Sequence, residues 1–184
     1  MLPVASCGSV FAVWLATSLD LSGTGTSLTT GGAGCAAGVV SVIDNSWATP
    51  VYQQPHRLGV DLVIHAASKY LSGHSDTVAG VVAGSKALIA RINDLTYPYL
   101  GAKLSPFDAW LLVRGMRTLP LRMQRHSDNA QAVAEFLAGH DKVNWVNYAG
   151  LPGDRYHQLA LKYAPNGAGA VFTFGVEGGD EAGK

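Results

Sequence analysis

The stretch Asp61-Leu-Val-Ile-His-Ala-Ala-Ser-Lys-Tyr-Leu-Ser-Gly-His-Ser-Asp76 joins a short apolar run to a lysine and then to small and polar residues. The run Leu62-Val63-Ile64 is typical of a buried β-strand, and Lys69 follows it closely. Open α/β sheets bind their ligands at the carboxyl ends of such strands. A lysine amine that is held away from water there loses its charge more readily and can attack a carbonyl group. The alternative for this segment alone is a solvated lysine in the turn after a strand.

A second candidate strand lies upstream and leads into an acidic residue. The run Val39-Val-Ser-Val-Ile43 is apolar and β-branched, and Asp44 follows it. A crossover between the two runs would make them parallel neighbours and place Asp44 and Lys69 at one edge of the sheet. Pyridoxal phosphate requires this pair, because the lysine holds the aldehyde and the acid keeps the pyridine nitrogen protonated. The alternative for Asp44 is an aspartate that only caps the turn after a strand.

Three segments of the chain together resemble a known enzyme family. They are Asp44-Asn-Ser-Trp-Ala-Thr-Pro50, His65-Ala-Ala-Ser-Lys-Tyr-Leu-Ser-Gly-His-Ser-Asp76 and Arg114-Gly-Met-Arg-Thr-Leu-Pro-Leu-Arg122. In this order they are similar to the Cys/Met-metabolism pyridoxal-phosphate enzymes of trans-sulfuration, and most like the bacterial cystathionine β-lyase branch. The resemblance covers about residues 35 to 180. It implies an α/β fold: part of a fold-type-I, aspartate aminotransferase-like large domain, with a mostly parallel sheet and flanking helices.

The resemblance also implies roles for individual residues. Lys69 matches the family's Schiff-base lysine, Asp44 its partner for the pyridine nitrogen, and Ser68 a hydroxyl that binds the cofactor phosphate. The sequence departs from the family at Ala66, where a second phosphate-binding serine is usual. The missing hydroxyl removes one hydrogen bond to a charged group, worth about 1–3 kcal/mol, and predicts weaker retention of the cofactor.

By this resemblance, we expect the protein to cleave the carbon–sulfur bond of cystathionine or a related small sulfur amino acid by β-elimination. Two alternatives remain open: chemistry of the cystathionine γ-synthase or γ-lyase type, and a truncated, non-catalytic remnant of the family. Family members assemble their active sites across subunits. The resemblance therefore implies a homo-oligomer, a dimer or a tetramer, for the full-length form.

Composition argues against several other classes of protein. The 184 residues are 48% hydrophobic and carry a formal net charge of zero, which allows a sizeable core and offers no basic surface for nucleic acid. The apolar run from Val10 to Ala16 is too short to span a bilayer, so no membrane association is expected. Two cysteines, Cys7 and Cys35, have no metal-binding spacing, and so few cysteines favour a cytoplasmic location.

Residues 1–34 differ from the rest of the chain. Asp20 is the only charged side chain before Asp44, and Gly, Ser and Thr dominate from Leu21 to Gly34. This segment does not resemble the family, and we expect a low-complexity piece that is disordered or loosely packed. Residues 35–184 would then form a partial cofactor-binding domain. We accordingly expect a fragment that lacks the family's N-terminal part and its C-terminal domain.

Downstream of Asp76 the pattern predicts alternating strands and helices. We expect a strand before Gly84, a helix capped by Ser85, and a helix that begins with Ser105-Pro106. A long amphipathic helix is expected from Pro120 to near Gly139. Further strands are expected near residues 143–146 and 169–176, with a helix over 155–163 between them. The segment Thr96–Pro106, rich in aromatic residues and prolines, predicts a loop in which packing is the favoured role of Tyr97 and Tyr99. The resemblance implies a loop near the active site, so the alternative role of these tyrosines is to shape access to it.

Overall fold

The computed structural model describes residues 12–14 and 40–178. They form two compact units. The first contains the described residues up to Ser46 together with Gln54–Arg117, and the second contains Trp47–Gln53 together with the described residues from Thr118 on. The predictions of disorder and low complexity for residues 1–34 lie outside the described residues, except at 12–14, which form a strand. The proposed domain boundary after residue 34 therefore stays a prediction.

The first unit contains a four-stranded sheet. Its strands are β1 (Ala12–Trp14), β2 (Val42–Asp44), β3 (Leu62–Ala66) and β4 (Gly80–Gly84), in the spatial order β1-β4-β3-β2. β2 and β3 are parallel neighbours, with Asp44 opposite Ile64. β4 pairs antiparallel with both β3 and β1. The predicted pairing of the two apolar runs as parallel strands is confirmed.

The α/β class is confirmed, but the sheet of the described strands is mixed rather than mostly parallel. The connection from β2 to β3 contains two helical pieces, α1 (Thr49–Tyr52) and a 3-10 turn (Pro55–Leu58). Such a crossover returns the chain to the same end of the sheet and makes the strands parallel. Residues 67–79, between β3 and β4, contain turns and no helix. The chain therefore turns back at the carboxyl end of β3, and β4 runs antiparallel to it.

Two helices complete the first unit: α2 (Lys86–Leu100) and α3 (Pro106–Met116). Both begin at the predicted serine caps. The Ser85 hydroxyl accepts a hydrogen bond from the Leu88 amide at 3.3 Å, and the Ser105 hydroxyl accepts one from the Asp108 amide at 3.1 Å. Apolar side chains of α2 pack on β3 and β4 in one hydrophobic cluster, formed by Leu62, Val82 and Ile89 with Ile64, Leu88 and Ile92 around them.

The prediction of a loop over Thr96–Pro106 is wrong for the first half of that segment, because α2 continues through Pro98 to Leu100. Proline removes one amide donor, but in the last turn of a helix this costs a single hydrogen bond. Gly101 then ends the helix in the left-handed conformation, with φ of 61°. Tyr97 and Tyr99 lie on this last turn with 67% and 79% of their surface exposed, so their predicted packing is also wrong for the described residues.

The second unit combines α1 with α4 (Leu119–Ala138), β5 (Val143–Asn147), α5 (His157–Tyr163) and β6 (Thr173–Val176). β5 and β6 form an antiparallel pair. The long helix begins one residue before the predicted Pro120 and ends at Gly139, as predicted. Tyr148 is buried against Ala130 and Ala134 of α4, and its hydroxyl donates to the Gly169 carbonyl oxygen at 2.9 Å. In the described part of the chain, no helix is long and apolar enough to cross a bilayer.

Candidate functional site

The predicted acid and the predicted lysine lie at the carboxyl ends of two adjacent parallel strands, β2 and β3. Asp44 is the last residue of β2, and the amide of Asn45 donates to the Ile64 carbonyl oxygen at 2.8 Å, which continues the ladder past the strand end. Asp44 is exposed. Lys69 follows the end of β3 at Ala66 by three residues. Because the two strands are parallel, both side chains belong to the same edge of the sheet.

Lys69 lies in a tight turn that backbone hydrogen bonds define. Its amide donates to the Ala66 carbonyl oxygen at 3.1 Å, and its own carbonyl oxygen accepts from the Gly73 amide at 2.8 Å. Gly73 has φ of 71°, a left-handed conformation that glycine adopts at no steric cost. The Lys69 side chain is exposed, which agrees with the solvated lysine in a turn that the segment alone allowed and not with an amine held away from water.

Ser68 connects the same turn to the residue before β4. Its hydroxyl accepts a hydrogen bond from the Ala79 amide at 2.8 Å and donates to the Ala79 carbonyl oxygen at 3.3 Å. The Ser68 amide also donates to that carbonyl oxygen, at 3.1 Å. The hydroxyl proton is thus in a long, weak bond to a carbonyl that already has another donor. The proton is free to turn towards a phosphate oxygen while the Ala79 amide keeps its acceptor.

Sequence reasoning missed Ser46, which joins the two strand ends. Its hydroxyl donates to Oδ1 of Asp44 at 2.6 Å and accepts from the Ala66 amide at 2.6 Å. The Ser46 amide donates to the same carboxylate oxygen at 2.9 Å. The Asp-x-Ser spacing predicts the contact with Asp44, because short side chains often bond two residues along in turns. The contact with Ala66 depends on the strand register, which the sequence does not show.

His65 is a buried histidine of β3, with 5% of its surface exposed. Burial lowers the pKa of His65 below its ordinary value, while the negative charge of Asp44 and a hydrogen bond with the Asn45 backbone oppose this shift. The positive charge of His56 adds slightly to the lowering. Nδ1 of His65 has no hydrogen-bond partner among the described residues. The ring is therefore neutral at pH 7.

The lysine turn (residues 67–72) and the residues after it are held by a second set of side-chain hydrogen bonds. The Ser72 hydroxyl donates to Asp76 at 3.2 Å, and the Thr77 hydroxyl donates to Asp108 of α3 at 2.8 Å. Hydrogen bonds from Ser105 and then Thr77 lower the pKa of Asp108 below its ordinary value. The loop that follows Lys69 is thereby fixed to the start of α3.

The donor set at this edge fits pyridoxal phosphate. An exposed amine is available for the aldehyde, a carboxylate for the pyridine nitrogen, and a hydroxyl with a loosely held proton for the phosphate. Both Ser46 contacts go to Oδ1 of Asp44, which leaves Oδ2 outside that turn. Among the described residues, no group of three or more His, Cys, Asp or Glu side chains is arranged to hold a metal ion.

Comparison with known proteins supports the same cofactor. Residues 32–184 match the profile of the Cys/Met metabolism PLP-dependent enzymes. The L-methionine gamma-lyase of Porphyromonas gingivalis is 46% identical over 152 residues, which are 80% of this chain and 37% of that protein. The chloroplastic cystathionine beta-lyase of Mimosa pudica is 43% identical over 139 residues, which are 76% of this chain and 30% of that protein.

The fold agrees with a solved structure of the same group. The crystal structure of cystathionine gamma synthase from Xanthomonas oryzae pv. oryzae superposes with a TM-score of 0.76 at 41% identity, over 82% of this chain and 38% of that one. The chain thus spans about a third of the length of the relatives that it matches. Pyridoxal phosphate is the cofactor of these enzymes. On the family profile, the identities and the fold, this chain belongs to the Cys/Met metabolism PLP-dependent enzyme family.

Proposed function

We propose that this chain supplies the cofactor-holding groups of a pyridoxal-phosphate-dependent enzyme that breaks the carbon–sulfur bond of a sulfur amino acid. The supporting observation is the placement of Asp44 and Lys69 after adjacent parallel strands, joined through Ser46. A single edge of the sheet then presents the acid and the amine that this cofactor requires.

Each residue has a separate role in this proposal. Lys69 holds the cofactor through its aldehyde, Asp44 pairs with the pyridine nitrogen, and Ser68 donates to the phosphate. When bound, the cofactor withdraws electrons from the substrate Cα and so makes its proton removable. With the substrate amine in its place on the aldehyde, the freed Lys69 amine would be the base that takes this proton. The negative charge of Asp44 keeps the ring nitrogen protonated throughout.

The first candidate reaction is β-elimination from cystathionine, which the motif around Asp44 and Lys69 favours. The second is γ-elimination from methionine, because relatives at 46% and 47% identity are named L-methionine gamma-lyase. Products separate them: cystathionine yields pyruvate, ammonia and homocysteine by the first, whereas methionine yields 2-oxobutyrate, ammonia and methanethiol by the second. A chain that retains the cofactor and gives neither of these product sets nor the products of cystathionine γ-cleavage or γ-synthesis supports the non-catalytic remnant.

The whole protein is proposed to act as a homo-oligomer, a dimer or a tetramer, on a small amino acid substrate. The chain spans 37% of the P. gingivalis relative. The resemblance to the family implies that further segments and a second subunit complete the site. A cytoplasmic location agrees with the low cysteine count of two.

Borohydride trapping tests the assignment of Lys69. The chain is incubated with pyridoxal phosphate, reduced with borohydride and digested, and the modified peptide is located by mass spectrometry. We expect one equivalent of label on the peptide that contains Lys69, and loss of that label in Lys69→Ala. Lys86→Ala is the matched control, because Lys86 is also exposed but begins α2. Label spread evenly over the lysines would contradict the proposal.

A further inference from the structure

Ser46 sits between the proposed acid and the turn that carries the proposed lysine. Its hydroxyl donates to Oδ1 of Asp44 and accepts from the Ala66 amide, each at 2.6 Å. The carbonyl oxygen of Ala66 accepts from the Lys69 amide at 3.1 Å. A series of three hydrogen bonds, joined through the covalent backbone of Ala66, therefore links the Asp44 carboxylate to the backbone of Lys69.

This series restricts a side chain that would otherwise rotate. Asp44 is exposed at a strand end, so packing restricts its χ1 rotamer less than it would that of a buried side chain. Two donors from Ser46, the amide at 2.9 Å and the hydroxyl at 2.6 Å, converge on one carboxylate oxygen. Charge-assisted hydrogen bonds of this length are the strong ones. They fix Oδ1 and leave Oδ2 as the oxygen that is free to pair elsewhere.

The same two strands carry a second serine–aspartate bridge at their other ends. The Ser41 amide and hydroxyl both donate to Oδ2 of Asp61 at 2.8 Å, and the Asp61 amide donates to the Ser41 hydroxyl at 3.0 Å. This bridge joins the amino ends of β2 and β3, away from Lys69. It provides a matched control, because its loss removes the same kind of contact from the same strand pair without touching the site.

We propose that Ser46 is a positioning residue: it orients Asp44 so that Oδ2 faces the pyridine nitrogen of the cofactor, and it couples that orientation to the Lys69 turn. This inference rests on the proposed function. The residue acts through Asp44 and touches neither cofactor nor substrate. A threonine in its place supplies the same hydroxyl, whereas an alanine supplies none.

Amide hydrogen exchange of the cofactor-free chain tests the bridge itself. Ser46→Ala removes the acceptor of the Ala66 amide, so exchange at Ala66 should be roughly 2- to 10-fold faster, as expected for one hydrogen bond. Ser46→Thr should keep the parent rate. Ser41→Ala should speed exchange at Asp61 and leave Ala66 unchanged. An unchanged rate at Ala66 in Ser46→Ala would overturn the coupling.

Retention of two cofactor analogues tests the positioning. Pyridoxal phosphate and 1-deazapyridoxal phosphate, in which C–H replaces the ring nitrogen, are compared by equilibrium dialysis. Ser46→Ala should raise the dissociation constant of pyridoxal phosphate roughly 5-fold or more, in the range of one hydrogen bond to a charged group, and leave that of the deaza analogue unchanged. Ser46→Thr should match the parent for both, as should Ser41→Ala.

The outcomes separate this inference from the proposal on which it rests. If Ser46→Ala raised the dissociation constants of both analogues by the same factor, the site would have a general defect, and the positioning role alone would be overturned. A parent chain that binds neither analogue, with Lys69 unlabelled after borohydride, would overturn the proposed function and the positioning role together, while the exchange rate at Ala66 still reports on the bridge.

Discussion

Ala66 is the position of the predicted site at which the resemblance to the family predicts a serine. Its amide is already bonded to Ser46, and its half-buried side chain lies at the end of β3 next to the lysine turn. A serine there would add a hydroxyl donor near the proposed phosphate position without disturbing the backbone.

We therefore expect Ala66→Ser to tighten the binding of pyridoxal phosphate by roughly 5- to 100-fold, the range for one hydrogen bond to a charged group. The dissociation constant measured by dialysis checks this. Ala67→Ser is the control, because Ala67 is fully buried and its hydroxyl would lower stability without aiding the cofactor. A weaker affinity in Ala66→Ser would place the phosphate elsewhere.

Burial of His65 makes the stability of the chain depend on pH. The pKa of His65 is lowered in the folded state, so the unfolded chain binds the proton first as the pH falls. The free energy of unfolding should be highest above the ordinary histidine pKa of about 6.5 and should decrease below it, until the folded state also takes the proton. Each unit of pKa difference is worth about 1.4 kcal/mol.

Urea unfolding at pH 7.5 and 5.5 measures this dependence. His65→Leu should show a smaller decrease between the two pH values than the parent, because the buried base is gone. His140→Gln, which changes an exposed histidine, should keep the parent's decrease. If His65→Leu lost as much stability on acidification as the parent, another group would control the response.

At the scale of elements, the lysine turn is positioned by a close approach of α3. A Cβ atom on Gly115 would lie 2.2 Å from the Ser72 carbonyl oxygen and 2.9 Å from that of Leu71. Both oxygens belong to backbone, which cannot rotate away as a flexible side chain would. Only glycine permits this distance between the helix and the turn.

We expect Gly115→Ala to destabilise the chain by about 1–3 kcal/mol through overpacking, and to lower the yield of borohydride label on Lys69 because the turn is displaced. Chemical denaturation and the trapping assay give the two readouts. Gly153→Ala is the control, since a Cβ there meets nothing within 4 Å. Parent-like stability in Gly115→Ala would mean that the turn moves freely.

The elements also show what the sequence could predict. The apolar runs ending near Asp44 and Ile64 predicted β2 and β3, and the serine caps predicted the starts of α2 and α3, because these signals are local. The antiparallel direction of β4 and the Ser46–Ala66 contact depend on which strands are neighbours and in what register. Strand pairing and register depend on contacts between separate segments, so patterns within one segment do not predict them.

At the scale of the whole chain, each compact unit has its own hydrophobic cluster. Ile89, 1% exposed, lies in the cluster of the first unit, and Tyr148, 2% exposed, in that of the second. A cavity in one cluster removes packing from the elements that surround it, at a cost of about 2–5 kcal/mol for a large side chain.

Hydrogen exchange should resolve the two units. Ile89→Ala should increase exchange mainly in β3 and β4, and Tyr148→Ala mainly in β5 and β6, because local openings follow the contacts that were lost. The paired variants serve as controls for each other. An equal increase throughout the chain in both variants would show that it opens as a single cooperative unit.

Because Lys69 is exposed to solvent, its amine alone cannot select one aldehyde over another. A primary amine in open water condenses with almost any small aldehyde, including the open-chain forms of reducing sugars. In the proposed site, discrimination then depends on Asp44 and Ser68, because the Asp44 charge would pair with an aromatic nitrogen and the Ser68 proton with a phosphate ester, two groups that sugars do not combine. Storage of the purified chain with glucose should accordingly glycate Lys69, and pyridoxal phosphate should protect it.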